Sequence, residues 1–500
     1  MLTRMVRLGE NMGRSMARMN LAESGRWSGE WWVSGEDKRH QGTLTFSPTD
    51  GPVLVLVQGW EYRTYAEILP GLSAQQTTTR DWPVVYGLAG GVRFTLRNVA
   101  LVSGEPHSGD KLGEMTYRAE VALVGEYVSE EAAGYVSRAR FEVENLTQFA
   151  SFSGIASNWL LDDNDRPTGG GSVSLDLVPL AEFQTREGVT RIHRWYDLPS
   201  AKATRRSFTG QLAETVYLDI TPDSPVALGY VFALATKLCQ LVSLASLDAC
   251  GVISIQAEVP LVDTELPEGH PHESSPAIVD VLFRPVTIPR PDALAVPVHD
   301  YVFTAARVAP EIFLPAWFDL VAEQEPAVGL LTDVFAGSTS RIADRVLAAV
   351  SAAESFHRGT NPEPPISDEE HERLLAIVEA AVPDEHKDSV GAKLSDNRHT
   401  LRQRLRALFR GLPEELQKAL RIKESVWLEE ATSARNKVAH SGTAGSAEIE
   451  ALDAVAEVTA VIVLLHVLRA LGVSDADCLT LFHENKRFRR AAQSARKHLV

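Results

Sequence analysis

The sequence predicts an α+β protein in two parts, an antiparallel β-rich N-terminal domain followed by an all-α helical bundle. Three observations carry that prediction. Apolar and polar residues alternate through much of the first half, as at Val92, Phe94 and Leu96 or at Tyr117, Ala119, Val121 and Leu123. The alternation stops near Phe303, just after a connection marked by Pro289, Pro291 and Pro297. Beyond that point apolar residues recur at helical spacing, with capping and breaking residues between the segments. Five hundred residues are too many for one ordinary domain. The expected division is a tail over 1–22, a β-rich domain over 23–300 and a helical domain over 301–500.

The first twenty residues are rich in methionine (Met1, Met5, Met12, Met16, Met19) and lack the apolar core of a signal peptide. They are expected to be a poorly packed helix or disordered. The β pattern opens at Gly29-Glu30-Trp31-Trp32. It continues through Gly42-Thr43-Leu44-Thr45-Phe46 and Val53-Leu54-Val55-Leu56-Val57, with Pro48 and Gly51 between the last two as in a hairpin. Gly169-Gly170-Gly171 reads as a turn ahead of a strand bearing Val173, Leu175 and Leu177. It is no phosphate loop, because neither the Gly-Lys-Ser/Thr ending nor a helix follows. Asp162-Asp163-Asn164-Asp165 lacks the spacing of a calcium loop and reads as a solvated turn. Strands over 215–220, 252–259 and 278–283 flank a helix over 225–246. Several such runs suggest a sandwich or open barrel. The polar stretch with Glu268, His270, His272 and Glu273 reads as a surface loop, since metal-ligand spacing is absent. Trp31 and Trp32 would suit sugar stacking, but a core residue with a half-exposed neighbour is the plainer reading.

Helices are predicted over 312–322, 340–357, 367–381, 397–412, 414–440, 447–471 and 485–499, with a capping box at Ser367-Asp368-Glu369-Glu370. The apolar run 458–473 is short for a membrane span and interrupted by His466 and Arg469, so a buried core helix is expected. A net charge of −17 argues against wholesale coating of nucleic acid but leaves room for a local basic groove. Cys239, Cys250 and Cys478 are widely spaced and odd in number. That argues against a disulfide framework and against a zinc site, and suits a reducing cytoplasm.

The chemistry-bearing stretch is Arg435-Asn436-Lys437-Val438-Ala439-His440, followed by Ser441 and the helix-stop residue Gly442. Asn436 and His440 share a helix face. Arg435 and His440 diverge by roughly 140°, so the long arginine must reach across for both to meet one phosphate. The helix C-terminus favours the imidazolium of His440, and a histidine near neutrality serves as acid or base. These groups suit RNA scission without a metal: a ribose 2′-OH attacks the adjacent phosphorus, His440 moves the proton, Arg435 holds the phosphate and Asn436 orients either one. Two basic sets are candidates for holding RNA. Arg398 and Arg402, with Arg404, Arg406 and Arg410, fall on one helix. Lys486, Arg487 and Arg490, with Arg489, Arg496 and Lys497, fall on the last, and Lys437 lies inside the motif. Phe488 among the terminal cations is expected to pack in the bundle.

The Arg435-to-His440 stretch resembles the HEPN ribonuclease signature, an Arg and a His separated by four to six residues, often with a polar residue after the Arg. The Gly29-to-Trp32 opening, the Gly42-to-Phe46 strand and the apolar helix before the last strands resemble the N-terminal domain of the ApeA family, bacterial anti-phage proteins that end in a HEPN domain. The resemblance covers most of the chain loosely and excludes the first twenty or so residues. It implies an endoribonuclease in anti-phage defence, cleaving cellular RNA such as tRNA with abortive infection as the outcome. It further implies a homodimer or higher oligomer with paired motifs, an N-terminal domain that senses a phage protein, and a supporting role for Glu354 and His357. No cofactor, metal or membrane is expected. A HEPN scaffold that binds RNA or a protein partner without cutting is the alternative, and a sugar-binding sandwich with a helical adaptor a second.

Overall fold

A computed structural model describes residues 19–33, 38–57, 60, 63–69, 72–77, 81–104, 113–129, 134–197, 200–260, 276–337, 341–394, 396–441 and 449–500. At 63–69, 72–77, 104, 393 and 438–441 only the backbone is described. The expectations for the methionine-rich tail, the 266–273 loop and Gly442 lie outside these residues. Backbone contacts divide the chain into two units, 1–242 with 250–295, and 243–249 with 296–500.

The first unit contains β1 (Gly25–Val33), β2 (His40–Ser47), β3 (Gly51–Val57), β4 (Arg63–Leu69), β5 (Leu72–Thr77), β6 (Trp82–Ala89), β7 (Val92–Gly104), β8 (Glu114–Val124) and β9 (Arg138–Val143). There follow α1 (Leu146–Ala150), β10 (Ile155–Leu161), β11 (Pro167–Leu175), β12 (Ala181–Thr185), β13 (Gly188–Tyr196), β14 (Ser200–Ala203), β15 (Phe208–Gln211), β16 (Glu214–Thr221), α2 (Leu228–Ser246), β17 (Val252–Val259) and β18 (Ala277–Phe283). Twelve strands form one antiparallel sheet in the order β12-β13-β16-β9-β17-β18-β8-β3-β2-β1-β6-β7. Because β7 also pairs with β8, the strands β8-β3-β2-β1-β6-β7 close into a six-stranded barrel. Along one edge of β8, residues 114–118 pair with β3 and residues 121–124 pair with β18. The barrel therefore continues into the remainder of the sheet.

Alternation places Trp31, Leu44, Leu54, Leu56, Phe94 and Tyr117 in the interior, all fully buried. Trp31 packs at 5.7 Å from Phe94, so it is a core residue and not a sugar platform. Trp32 is half-buried and covered by Arg39 at 4.5 Å, with Tyr127 at 5.6 Å on its edge. Gly87 is required here, because a Cβ on it would stand 2.2 Å from the Trp31 ring. The Gly169–Gly171 triplet is not a turn. It lies within β11, paired with β10, and the turn sits at the Asp162 stretch, where Asp162 Oδ1 accepts from the N–H groups of Asn164 and Arg166. The α2 helix packs Phe232 on Phe283 at 4.7 Å, and its Lys237 pairs with Glu187 at 2.7 Å.

The second unit holds α3 (Pro310–Ala336), α4 (Ile342–Thr360), α5 (Asp368–Ala381), α6 (Asp384–Leu394), α7 (Leu401–Arg410), α8 (Glu414–Leu420), α9 (Glu424–Ser441), α10 (Ile449–Ala470), α11 (Asp475–Glu484) and α12 (Lys486–His498). Non-helical dihedrals at Gln324 kink α3 just before Pro326, whose ring nitrogen cannot donate to the preceding turn. The predicted helix over 414–440 is two helices, because Arg421 adopts a left-handed conformation with φ 56° and ends α8. Lys423 N–H then donates to the Leu499 carbonyl at 2.8 Å, which fixes where α9 begins. Ser367 caps α5 by accepting from Glu370 N–H, and Thr400 with Gln403 forms a complete capping box on α7. Among the described residues α2 and α10 are long and apolar enough to cross a membrane, but their most apolar windows are 56% and 78% buried inside the protein, as core helices are.

Gly87→Ala should destabilise the first unit by about 1–3 kcal/mol through overpacking against Trp31. Gly134→Ala, which adds a methyl to open space, should change little. Thermal unfolding of the two variants beside the unsubstituted chain measures the difference.

Candidate active site at one end of the helical bundle

The buried side of α9 is Trp427, Leu428, Ala431 and Ala434, spaced as one helical stripe. Trp427 Nε1 donates to Thr459 Oγ1 at 3.1 Å, which sets α9 against α10. Lys423 N–H donates to the Leu499 carbonyl, so α9 starts beside the end of α12. The last turns of α9 carry Arg435, Asn436, Lys437 and the backbone of His440. Arg435 is half-buried beside Ala434 and has no acidic partner among the described residues, while Asn436 and Lys437 are exposed.

The other helix ends follow from side-chain pairs. Arg345 in the first turn of α4 bonds Asp453 at 2.6 Å and also Glu457, both on α10. Phe356, eleven residues further along α4, stacks on His466 of α10 at 5.9 Å. So α4 and α10 run parallel. On α12, Arg487 pairs with Glu457 at 3.4 Å, Arg490 with Asp453 at 3.0 Å and Lys497 with Glu450. Successive partners step back toward the start of α10, so α12 runs antiparallel to α10.

The sequence-predicted residues fall in three stretches. Arg435, Asn436, Lys437 and His440 lie on the last turns of α9, and Lys486, Arg487 and Arg490 at the start of α12, where Arg487 and Arg490 bond Glu457 and Asp453 of α10. Glu354, His357, Arg398 and Arg402 gather where α4 ends and α7 starts. There Glu354 accepts from Arg404 and Arg358, each at 3.2 Å, and Arg404 Nε donates to the His399 carbonyl at 2.8 Å. His357 is buried and packs edge-on against His399 at 5.3 Å. These contacts make Glu354 and His357 a tie between α4 and α7. Arg398 is exposed and pairs with its neighbour Asp396 at 3.2 Å, and Arg402 is exposed. Burial, with the nearby charge of Arg404 and the His399 ring, lowers the His357 pKa to about 4, so the ring is neutral near pH 7.

The terminal cations are not equivalent. Arg487 is half-buried and donates to the carbonyls of Phe335 at 2.8 Å and Val334 at 3.2 Å, stacking on the Phe335 ring at 4.7 Å. It closes the end of α3 by bonding carbonyls that lack helical partners. Phe488 is wholly buried against Phe482 and does not face solvent. Sequence reading missed Arg345 and the alternating chain Arg490–Asp453–Arg345–Glu457–Arg487 that it completes. The available signal was Asp453 and Glu457, four apart on one face of an otherwise apolar helix. Among the described residues no group of His, Cys, Asp and Glu side chains is arranged to hold a metal.

A closed barrel with a sheet extension, followed by a helical bundle that carries Arg435 to His440 on the last turns of α9, is the architecture of a β-domain joined to a HEPN domain. Residues 26–305 match the model of the ApeA N-terminal domain 1, and residues 347–477 match that of the Apea-like HEPN domain. The first match alone spans more than half the chain, and the chain belongs to the ApeA family of defence proteins. No curated protein and no solved structure matches it.

Two outcomes follow from the buried polar groups. Arg345→Met should destabilise the helical unit by about 3–5 kcal/mol, because Glu457 keeps its burial and loses its nearest cation. Calorimetry of the full chain measures this. The His357 pKa is lowered on folding, so the unfolded chain binds the extra proton first. Stability should therefore hold above about pH 6.5 and fall as the pH drops toward about 4. His357→Leu should remove that slope in denaturant titrations across this range.

Proposed function

We propose that this protein is an endoribonuclease whose reacting groups are Arg435, Asn436 and His440, acting in anti-phage defence. The observation that supports the reading is the HEPN-matched turn of α9, where Arg435 has no acidic partner among the described residues and Asn436 is exposed. A guanidinium free of carboxylates is available to a phosphate, which its planar fork fits. In the reaction the ribose 2′-oxygen attacks the adjacent phosphorus and gives its proton to a base. The bond from phosphorus to the 5′-oxygen breaks, and that oxygen takes up a proton. The products are a 2′,3′-cyclic phosphate and a 5′-hydroxyl. His440 moves the protons, Arg435 steadies the charged phosphorane and Asn436 orients them. No step calls for a metal or cofactor.

One copy supplies few catalytic groups, so the active form is a homodimer or higher oligomer that sets two α9 ends against one another. The N-terminal domain restrains the nuclease until a phage protein binds, since an unrestrained RNase would harm its own cell. The protein acts in the cytoplasm, on cellular RNA such as tRNA, and the outcome is abortive infection.

Arg435→Ala and His440→Ala should each lower cleavage by about 100-fold or more. Sequencing of RNA ends from phage-infected cells should show cyclic-phosphate and 5′-hydroxyl termini with the unsubstituted chain and lose them with either variant. Phage protection that survives His440→Ala would replace the nuclease with a non-cutting scaffold.

A further inference from the structure

A cleft of about 530 Å³ opens between the end of α3, the start of α4, α10 and α12. Its walls include Arg345, Glu457, Lys486, Arg487 and Arg490. In a chain of net charge −17, this is a local excess of cations. Arg345 and Lys486 to Arg490 lie outside the residues matched to the HEPN family, so the family gives them no role.

The cations do two different jobs. Arg345 and Arg487 are largely enclosed, with side chains 17% and 24% exposed, and both are bound to the buried Glu457. They form the fixed floor. Lys486, Arg490 and Lys497 are 73%, 69% and 65% exposed. At spacings of four and seven along α12 these three share one face of the helix. Each has a carboxylate partner, Asp300, Asp453 and Glu450 respectively. The Lys497–Glu450 pair is exposed on both sides and contributes little, so a phosphate oxygen can replace that carboxylate at small cost. Lys486 and Arg490 keep their enclosed partners and offer a phosphate the N–H donors those partners leave unused. The row spans about 16 Å and runs from the cleft toward Glu450 at the start of α10.

We infer that the cleft and the exposed face of α12 form a phosphate-binding track, seating the backbone of a single RNA strand. The inference rests on the nuclease reading for its choice of ligand, but binding is a separate measurement. The chemistry recognised is the phosphoryl oxygen, whether of an RNA strand or of a free nucleotide.

The test is fluorescence anisotropy of a labelled single-stranded RNA on the full-length chain at a series of salt concentrations, with ATP as the second probe. The Lys486→Ala, Arg490→Ala double variant removes two exposed side chains that take no part in the core. Its salt slope should fall by roughly 1.4, about 0.7 for each phosphate that is no longer neutralised. Arg490→Lys should retain most of the binding, which separates loss of charge from loss of fold. ATP that displaces RNA from the unsubstituted chain, and not from the double variant, supports the shared phosphoryl seat. RNA binding with unchanged slope in the double variant overturns the track. His440→Ala keeps the two questions apart: loss of cleavage with RNA binding intact leaves the nuclease standing even if the track fails. Unchanged cleavage removes the nuclease while the slope still decides the track.

Discussion

The hydrogen bond from Trp427 to Thr459 fixes the register of α9 on α10, and the site depends on that register. An indole buried on all sides must place its N–H on an acceptor, because an unpaired donor in the interior is costly. Thr459 supplies the acceptor in a helix otherwise filled with Val, Leu, Ile and Ala. Sliding α9 by one turn would break the bond and bring Arg435 to a different level of α10. The same constraint explains why the reactive turn can be polar. The buried stripe Trp427, Leu428, Ala431 and Ala434 carries the packing, so Arg435 and Asn436 can be polar.

The polar chain on the other side of α10 shows how an acidic protein keeps cations where it needs them. Arg345, Asp453, Glu457, Arg487 and Arg490 alternate in sign across three helices. Removing any inner member strands a neighbour in a low-dielectric environment, so the network specifies how α4, α10 and α12 meet. Its outermost cations stay exposed because the inner ones have already satisfied the buried carboxylates.

Much of this was legible in the sequence. Period-two alternation located β7, β8, β17 and β18, and the Pro-rich segment before residue 300 marked the change to helices. The motif at Arg435 was visible because Arg, Asn and His stand at helical spacing. Other features were not legible, for physical reasons. The break between α8 and α9 has no Gly or Pro to announce it, since Arg421 takes the left-handed conformation itself. The Gly169–Gly171 strand reads as a turn because glycine permits both, and pairing with β10 decides. The supporting role of Glu354 and His357 was read from the family resemblance, and their bonds to Arg404 and His399 needed the packing of α4 on α7. Arg345 could be recognised only once α4 and α10 were known to lie side by side.

One strand of the N-terminal domain carries an unusual burden. β8 bonds β7 along one edge and shares its other edge between β3 and β18. The barrel and the sheet extension are therefore welded along a common seam. Neither can loosen without loosening the other, and a force or a ligand acting on the extension is felt by the barrel wall through main-chain bonds alone. A domain wired in this way transmits a disturbance at one rim to the opposite one as a stiff body would, without a hinge.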